Sequence, residues 1–330
     1  MSGAADGVVR VAYLLLVHAH PGQVVRLIDR LAVPWARFFV HVDRKVDDAA
    51  FRRALCGRPE VHFLKNRQAI FWGGFRIVKA TLDLLEAAFL HPARFTHFIL
   101  LSGSDYPIKP NPLIAERLRA SPQNFLHIER TLSTETRRNA VNSYHFKDIR
   151  WLNHTAPPRG PTDKILRWAC HRTVWALGYS NRTRPLPAAF TFYKGSQWWC
   201  LRRDAVAYVL DFTKTEPAIL AFHKYAHAPD EIYIQSVIKN SPLAATISHD
   251  WSASGAPASA TERGVHYITP TPGSHPRALI DDDFDRLRQS PALFARKFDA
   301  IRSTMLMDRI DQEILGIQQA REALPPSLPR

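Results

Sequence analysis

The segment Pro229-Asp230-Glu231 places two carboxylates side by side, directly before an apolar stretch with helical spacing. A carboxylate at a helix start stabilises the helix by about 0.3–1 kcal/mol and needs no other function. A carboxylate can also accept the proton of an attacking hydroxyl, which is general base catalysis. If Asp230 and Glu231 open a helix, their side chains diverge, and the one that does not face a site caps the helix or orients its neighbour. Taken alone, the segment favours the structural role.

Asp43 and Trp72 have types and positions suited to holding a nucleotide. Asp43 directly follows the apolar run 38–42, and ligands of open α/β sheets bind at the carboxyl ends of strands. An acid there can contact a uracil or a ribose, and an aromatic ring such as Trp72 can stack on the base. Singly, each residue is better explained as a turn acid or as a core ring beside the Gly73-Gly74 turn.

The acidic residues and histidines do not form a convincing metal site. Asp105 stands in the turn 102–107 as its one acid, and one carboxylate rarely holds Mn²⁺ or Mg²⁺. The acidic run 281–283 precedes a helical pattern, so a capping role is expected. His18 and His20 have the spacing of zinc ligands, but no third ligand is near them in the sequence. The sequence therefore predicts no metal cofactor.

The composition narrows the class of protein. The 330 residues include 44 Lys and Arg against 30 Asp and Glu, and the formal net charge of +14 attracts anions of any kind. These basic residues are scattered, as at Arg137-Arg138, so no nucleic-acid tail is indicated. Three cysteines without CxxC spacing fit a reducing compartment. No GxGxxG follows the first strand and no GxxxxGK[ST] occurs, which argues against dehydrogenases and P-loop enzymes.

The elements that must position these residues alternate between strands and helices over the first 130 residues, as βαβ units do. The apolar patterns predict strands at 9–17, 38–42, 61–64, 96–101 and 124–128, and helices at 23–31, 75–89 and 112–119. This half of the chain therefore predicts an α/β fold with a mostly parallel central sheet flanked by helices.

The second half of the sequence is less regular. Residues 131–190 are irregular apart from a helical pattern at 164–177, and any membrane contact is expected to be peripheral, through a basic and aromatic stretch such as 167–179. Regular patterns return with a strand at 195–201, helices at 204–212 and 291–315, a helix that follows Pro229-Asp230-Glu231 and runs to about 239, and a loop at 252–262. Trp198 and Trp199 alternate faces on the predicted strand, so one ring is expected in the core and the other on the opposite face.

Seven segments of the chain stand in an order shared with a known enzyme family. They read AYLLLVH from Ala12, FVHVDRK from Phe39, WGGF from Trp72, LSGSDYPIK from Leu101, GSQWW from Gly195, PDE from Pro229 and LFARKF from Leu293. Each is weak alone, but together they resemble the core-2/I-branching β-1,6-N-acetylglucosaminyltransferase family, glycosyltransferase family 14, which includes the peptide O-xylosyltransferases. Residues 130–190 match nothing in it.

The resemblance implies a Rossmann-like GT-A fold and an inverting transfer from a UDP-sugar without the metal-binding DxD motif. In these terms the chain divides into a flexible N-terminus (1–8), a nucleotide-sugar-binding half (9–130), an irregular acceptor-side insertion (131–190), a catalytic and acceptor half of the same domain (191–318) and a flexible tail (319–330).

The resemblance also assigns roles to single residues. Glu231 becomes the general base. Because no metal neutralises the leaving UDP, fixed positive groups must do so, and Arg277 and Lys297 match the family's basic residues for the diphosphate. Arg296 is expected to serve as a control for Lys297. The donor is expected to contact Val17, His18, Asp43, Trp72 and Asp105, and the substrate side is expected to include Ser196, Trp198, Trp199 and Asp230.

Animal members of the family carry an N-terminal anchor and disulfides, whereas this sequence predicts neither. It favours a bacterial-type cytoplasmic enzyme of polysaccharide synthesis, at most peripheral at the inner membrane face. The expected partners are a UDP-sugar donor, with GlcNAc favoured, and a glycan or glycoconjugate acceptor, and no nucleic acid. Two alternatives stay open: a UDP-xylose-dependent xylosyltransferase, and a non-catalytic basic protein that binds glycan or nucleic acid.

Overall fold

The computed structural model describes residues 8–132, 139–153, 158–179, 181–255, 261–269 and 276–317. Almost all of the predicted flexible N-terminus, the predicted tail, the Arg137-Arg138 pair and part of the predicted loop 252–262 lie outside these ranges. The strands are β1 (Val11–Val17), β2 (Ala36–Val42), β3 (Val61–Phe63), β4 (His97–Ser102), β5 (Asp105–Pro107), β6 (Asn124–Thr131), β7 (Tyr193–Gly195), β8 (Cys200–Arg202), β9 (Ile247–Asp250), β10 (Glu262–Arg263), β11 (His266–Ile268) and β12 (Phe294–Arg296). The helices are α1 (Pro21–Leu31), α2 (Ala49–Ala54), α3 (Arg76–Phe89), α4 (Asn111–Ala120), α5 (Pro161–Ala176), α6 (Arg203–Thr215), α7 (Pro217–Phe222), α8 (Tyr233–Lys239), α9 (Phe284–Gln289) and α10 (Thr304–Arg309).

The described strands form two sheets. The main sheet has the order β3-β2-β1-β4-β8-β6-β7, with β9 paired to β6, and a smaller sheet has the order β10-β11-β12-β5. The four strands from β3 to β4 are parallel, as is the pair of β6 and β9, whereas β8 runs antiparallel to β4 and to β6. This architecture confirms the predicted α/β fold class, with a mostly parallel central sheet flanked by helices.

The central strand β1 is buried along its whole length because helices cover both faces of the sheet. Alternate side chains belong to opposite cores: Tyr13 and Leu15 pack in the cluster that contains α1, and Leu14 and Leu16 pack in the cluster that contains α3. A strand covered on both faces is a continuous apolar run, which is how this segment reads in the sequence.

The predicted helix over 291–315 is wrong in its first part. Residues Phe294–Arg296 form β12, which lies between β11 and β5 and joins the C-terminal segment to the turn after β4. Helix begins only at Thr304, in α10, and continues as a π-helix over Ile310–Ile314. The reason is tertiary: the buried side chains of Phe294 and Ala295 complete a sheet that the local sequence does not show.

Asp311 ties this C-terminal segment to the first half of the chain. Its carboxylate is buried and accepts hydrogen bonds from the Tyr106 hydroxyl at 2.7 Å and from the guanidinium groups of Arg26 and Arg30 at 2.7 and 2.6 Å. Because these hydrogen bonds compensate the burial of the charge, the C-terminal segment packs firmly on α1 and β5.

The strand predicted at 195–201 is interrupted. Strand β7 ends at Gly195 and β8 begins at Cys200, and the chain turns between them. The Ser196 hydroxyl accepts the Trp198 amide at 3.2 Å, which satisfies one backbone donor of the turn.

The described parts of 131–190 are held to the body by Arg184. Its guanidinium donates to the carbonyls of Val141 and Phe222 and lies 4.0 Å from the centre of the Phe222 ring. Helix α5 lies in this region and matches the predicted pattern at 164–177 to within three residues. Within the described ranges, no helix combines the length and apolarity that a membrane crossing requires.

Candidate active site

Strands β1 and β2 end side by side, and the residues after them form one edge of the main sheet. Val17 is in register with Val42, and the Asp43 amide donates to the Val17 carbonyl at 2.9 Å. His18 follows on the same edge and is exposed. The buried Asp43 carboxylate accepts the Lys45 amide at 2.8 Å, and Lys45 Nζ lies 3.3 Å from its other oxygen. The strand edge therefore presents an ordered acid beside a histidine.

Asp105 lies at the start of β5, directly opposite Arg296 of β12. One oxygen of its buried carboxylate accepts the Ser102 amide, and the other lies 3.4 Å from Arg296 Nη1. The Arg296 guanidinium lies 3.9 Å from the centre of the Trp198 ring. Burial raises the pKa of Asp105, and the nearby Arg296 limits that rise. These residues form an internal ion pair stacked on an aromatic ring.

This arrangement corrects the expectation that Arg296 could serve as a control for Lys297. A control residue must be removable without structural consequence, and removal of Arg296 would leave a buried carboxylate without its counter-charge. Sequence reasoning missed this residue because an Arg in a basic chain is by default a surface charge. The register of β12 against β5, which places Arg296 opposite Asp105, cannot be read from the local sequence.

Lys297 is exposed and lies within electrostatic range of His18. The Phe298 amide donates to the Ser104 carbonyl at 2.8 Å, which holds the segment beside the strand edge. Partial desolvation lowers the pKa of His18, Asp43 opposes this, and Lys297 lowers that pKa further. Among the described residues, none forms an ion pair with the Lys297 ammonium. This cation is thus available to an anionic ligand.

The Trp72-Gly73 turn contacts the loop that carries Glu231. The Trp72 side chain is 42% exposed, and its ring centre lies 5.4 Å from that of His227. The Ala228 amide donates to the Gly73 carbonyl at 3.0 Å. Gly73 has a φ of 71°, a conformation that side chains with a Cβ rarely adopt. The backbone hydrogen bond brings the tryptophan and the Glu231 loop together.

Gly74 makes room for Asp148. A Cβ atom at Gly74 would overlap the Asp148 Oδ1 atom. The same carboxylate accepts the Arg76 amide through Oδ2 at 3.1 Å and so satisfies a free donor at the start of α3. Asp148 therefore joins the segment after 139 to the turn before α3, a contact that the sequence did not reveal.

Glu231 and Asp230 lie in the 3-10 helix Pro229–Glu231, and their side chains diverge. The Glu231 side chain is 37% exposed, and its Oε2 lies 3.4 Å from Lys194 Nζ on β7. The Asp230 side chain turns inward to a small cavity lined by Gln197 and Trp199. Burial, and next the charge of Glu231, raise the pKa of Asp230 to about 7. Of this pair, Glu231 is the carboxylate that a substrate can reach.

Lys45 connects the strand edge to the Trp72 turn. Its ammonium donates to the Ile70 carbonyl and lies 4.6 Å from the centre of the Phe71 ring, while it also pairs with Asp43. Lys45 therefore joins Asp43 to residues 70–71, which lead directly into the Trp72 turn, and that turn contacts the loop of Glu231.

The substrate-side residues predicted on 195–201 are turned inward. Ser196 is buried, and its carbonyl accepts the Gln235 side chain at 2.6 Å. Trp199 is a core ring with 1% exposure, and Trp198, at 9%, lies beneath Arg296. Both tryptophan rings are buried, so neither presents a large surface to an acceptor. The contact of either ring with an acceptor stays a prediction.

Arg277 lies close to Lys297 but is already paired. Its guanidinium donates to both Asp283 oxygens, at 2.7 and 2.5 Å. The Leu279 amide donates to the Lys297 carbonyl at 2.9 Å, which brings the two basic segments together. The diphosphate role of Arg277 stays a prediction, and its charge is partly compensated.

Taken together, the site offers groups suited to an anionic nucleotide and to proton transfer. The strand edge supplies Asp43, His18 and Lys297, whose ammonium has no ion pair with any residue of the described ranges, and the adjoining loop supplies the accessible carboxylate Glu231 held by Lys194. Lys194 was missed because its pairing depends on the position of β7 relative to the 3-10 helix. In the described part of the chain, no group of three or more His, Cys, Asp or Glu side chains is placed to hold a metal ion.

The chain is similar to several known proteins. The model of the family described as Core-2/I-Branching enzyme matches residues 11–271, a range that includes Glu231 but neither Arg277 nor Lys297. "Xylosyltransferase 2" of Mus musculus is 28% identical over 97% of this chain and 35% of its own length, and "Xylosyltransferase 1" of Rattus norvegicus is 27% identical over 93% and 36%. The chain thus spans about a third of the length of these relatives.

Among solved structures, mouse Xyloside xylosyltransferase 1 in its apo form is 12% identical, with a TM-score of 0.29, over 69% of this chain and 81% of that one. A likeness at that level supports no conclusion about the function of this chain. The family model, in contrast, covers most of the sequence, including both strands that form the edge described above. The chain therefore belongs to the Core-2/I-Branching enzyme family, which is a family of glycosyltransferases.

Proposed function

We propose that this protein is an inverting glycosyltransferase that transfers a sugar from a UDP-sugar to a hydroxyl of a glycan or glycoconjugate without a metal ion. The observation that carries the proposal is the position of Glu231. It is the accessible member of the Asp230-Glu231 pair, and it lies on a loop hydrogen-bonded to the Trp72 turn. The chain belongs to a family of glycosyltransferases, and this membership supports the assignment of Glu231 as the base of a sugar transfer.

In the proposed reaction, the acceptor hydroxyl attacks the anomeric carbon of the donor sugar. Its proton passes to the Glu231 carboxylate as the new carbon–oxygen bond forms. The bond between the anomeric carbon and the β-phosphate oxygen breaks on the opposite face, so the configuration inverts and UDP leaves. Lys194, 3.4 Å from Glu231, restrains the carboxylate at the loop.

The leaving diphosphate develops negative charge, and a positive group fixed beside it lowers the barrier. Lys297 is the best candidate because its ammonium forms no ion pair with described residues and reaches the strand edge electrostatically. Arg277 is a second candidate, although binding to UDP would compete with its pairing to Asp283. Val17, His18, Asp43 and Trp72 are the residues we propose for the nucleoside.

The donor sugar is the finer part of the proposal. The sequence resemblance favours GlcNAc, whereas the similar proteins of mouse and rat are named xylosyltransferases. Transfer of xylose from UDP-xylose is therefore a second candidate function. The same base and the same diphosphate contacts serve either sugar, so the difference depends on groups around the sugar ring.

Two measurements test the proposal. Incubation of the protein with UDP-GlcNAc, UDP-xylose, UDP-glucose and UDP-galactose, followed by assay of UDP release, identifies the donor without knowledge of the acceptor. Thermal unfolding with saturating UDP should show stabilisation of about 2–4 kcal/mol that survives EDTA. Absence of any shift with UDP and with all four sugars would refute the glycosyltransferase proposal, and a shift abolished by EDTA would refute its metal independence.

A further inference from the structure

Helix α5 exposes its large apolar side chains to solvent, whereas its half-buried side combines polar groups with Cys170 and Val174. None of its residues is buried. Ile165, Trp168, Arg172 and Trp175 follow one another at helical spacing and form one outer stripe. The side chains of Ile165, Trp168 and Trp175 are 66%, 65% and 65% exposed. This pattern is the reverse of that expected for a surface helix.

The inner side of α5 contacts the body through polar groups. The Asp163 carboxylate accepts the Trp151 indole N–H at 3.0 Å and an Arg150 N–H at 2.5 Å. The Arg167 guanidinium donates to the Asn153 carbonyl. Since these contacts fix the helix by its polar side, its orientation on the body leaves the aromatic stripe outward.

The apolar exposure is concentrated in this region. Of fourteen large hydrophobic side chains exposed in the described part of the chain, seven lie between residues 149 and 177. They are Ile149, Trp151, Ile165, Leu166, Trp168, Trp175 and Leu177. Scattered exposed apolar residues need no explanation, but a local concentration indicates a surface that another molecule covers.

The charge of the residues around α5 indicates which kind of molecule covers this surface. Between residues 158 and 182 the described chain carries Arg159, Lys164, Arg167, Arg172 and Arg182 against the single acid Asp163, which is already paired. The Arg172 guanidinium lies 5.4 Å from the centre of the Trp168 ring, so a cation lies within the stripe itself. Two copies of a chain with net charge +14 repel each other at such a surface, whereas an anionic bilayer attracts it. Tryptophan flanked by Lys and Arg is the composition of helices that lie in a membrane interface.

We propose that the outer face of α5 docks on the surface of an anionic phospholipid bilayer, with Trp168 and Trp175 inserted at the headgroup level. This goes beyond the proposed function, since it concerns where the enzyme works and requires no particular donor or acceptor. It gives the peripheral membrane contact expected from the sequence a defined surface and a defined lipid charge.

Co-sedimentation of the full chain with vesicles tests the proposal directly. Vesicles of phosphatidylcholine with phosphatidylglycerol should bind the protein, and vesicles of phosphatidylcholine alone should bind it at least about tenfold less. The double variant Trp168→Ser, Trp175→Ser should partition about tenfold or more weakly into the anionic vesicles. The variant Lys164→Gln, Arg172→Gln should also bind them more weakly. Tryptophan emission should shift to shorter wavelength on binding in the wild type.

The control is the double variant Ile301→Ser, Met305→Ser, which removes two side chains that are 83% and 73% exposed in another segment. It should bind vesicles as the wild type does, and all three variants should unfold at the wild-type temperature. Failure of the wild type to bind anionic vesicles, or equal binding by the Trp168→Ser, Trp175→Ser variant, overturns the proposal. Self-association that this variant abolishes, without vesicle binding, would identify a second copy of the chain as the occupant instead. None of these readouts depends on transferase activity, so they separate this proposal from the proposed function.

Discussion

Asp230 and Glu231 are neighbours in the chain, yet their carboxylates lie in different environments. Glu231 is partly exposed and paired with Lys194, whereas Asp230 is half-buried with its Oδ1 atom buried, faces the cavity beside Trp199, and has its pKa raised to about 7. Two adjacent carboxylates with such different surroundings are expected to have different roles. We assign proton transfer to Glu231 and positioning of the loop to Asp230.

Substitution Glu231→Gln should lower kcat by about 10²–10⁴-fold, because glutamine keeps the shape of the side chain but cannot accept the proton of the acceptor. UDP binding, measured by thermal shift, should be unchanged. Glu116→Gln, on the exposed side of α4, is the matched control and should retain full turnover. Wild-type turnover by Glu231→Gln would show that the base is another group.

The raised pKa of Asp230 predicts a pH dependence of stability. The folded protein holds the Asp230 proton up to about pH 7, whereas the unfolded chain loses it near its ordinary pKa of 3.8, so proton binding favours the folded state at low pH. This contribution is lost as the pH rises through that window. The asparagine of the Asp230→Asn variant does not titrate, so the variant does not lose stability in this window. Its free energy of unfolding relative to that of the wild type should therefore increase between pH 4 and pH 8, by on the order of 2–4 kcal/mol. Denaturant unfolding of both proteins across this range checks it, and parallel pH profiles would contradict it.

The pairing of β5 with β12 places the adjacent residues Arg296 and Lys297 in different environments. Arg296 is half-buried and lies against Asp105 and Trp198, whereas Lys297 is exposed. Arg296→Ala should lower the free energy of unfolding by about 3–5 kcal/mol, because it leaves the Asp105 carboxylate buried without its partner. Lys297→Ala should change stability by less than about 0.5 kcal/mol and weaken UDP binding instead.

Urea unfolding and UDP titration of the two variants separate these effects. If Lys297→Ala binds UDP as tightly as wild type, the diphosphate is held elsewhere, with Arg277 the next residue to examine. If Arg296→Ala is as stable as wild type, the buried pair has no structural importance.

The turn before α3 is a second place where an element depends on one residue. Gly74→Ala should destabilise the protein by about 1–3 kcal/mol, because the added Cβ overlaps the Asp148 carboxylate that caps α3. Gly22→Ala is the control: nothing lies within 4 Å of its Cβ position, and alanine in α1 should stabilise the protein by about 0.5–1 kcal/mol. Thermal unfolding of both variants checks this, and equal effects would contradict the role given to Asp148.

The sequence predicted the elements whose patterns are local. A buried strand was predicted at 9–17 and a helix at 75–89, and the structure has them at Val11–Val17 and Arg76–Phe89, because their own apolar spacing determines what they become. The strand β12 was predicted as helix because its three residues gain their strand character from β11 and β5, which are distant in the chain. The ion pair of Arg296 with Asp105 was missed for the same reason, since it depends on the pairing of β12 with β5.

The whole molecule carries a net charge of +14, and this sets how ligand binding should respond to salt. A UDP-sugar has few charges, so its affinity should fall only a few-fold between about 50 and 200 mM NaCl. A nucleic acid that contacts six or more phosphates would lose about 10³-fold or more over the same range. Isothermal titration at several salt concentrations distinguishes the two, and a steep loss with RNA or DNA alongside no UDP binding would favour the non-catalytic alternative.

The contacts of Asp311 and β12 also determine the order in which a growing chain can complete its fold. The Tyr106 hydroxyl and the Asp311 carboxylate are 205 residues apart in the sequence. A ribosome that adds about 5–20 residues per second needs roughly 10–40 s to make the second group after the first. Until β12 is made, β5 has no neighbouring strand on its β12 side and Asp105 has no guanidinium beside it. The residues of β1 and β2 are thus made long before Lys297, and the place proposed for the diphosphate can be assembled only after residue 297 has been added.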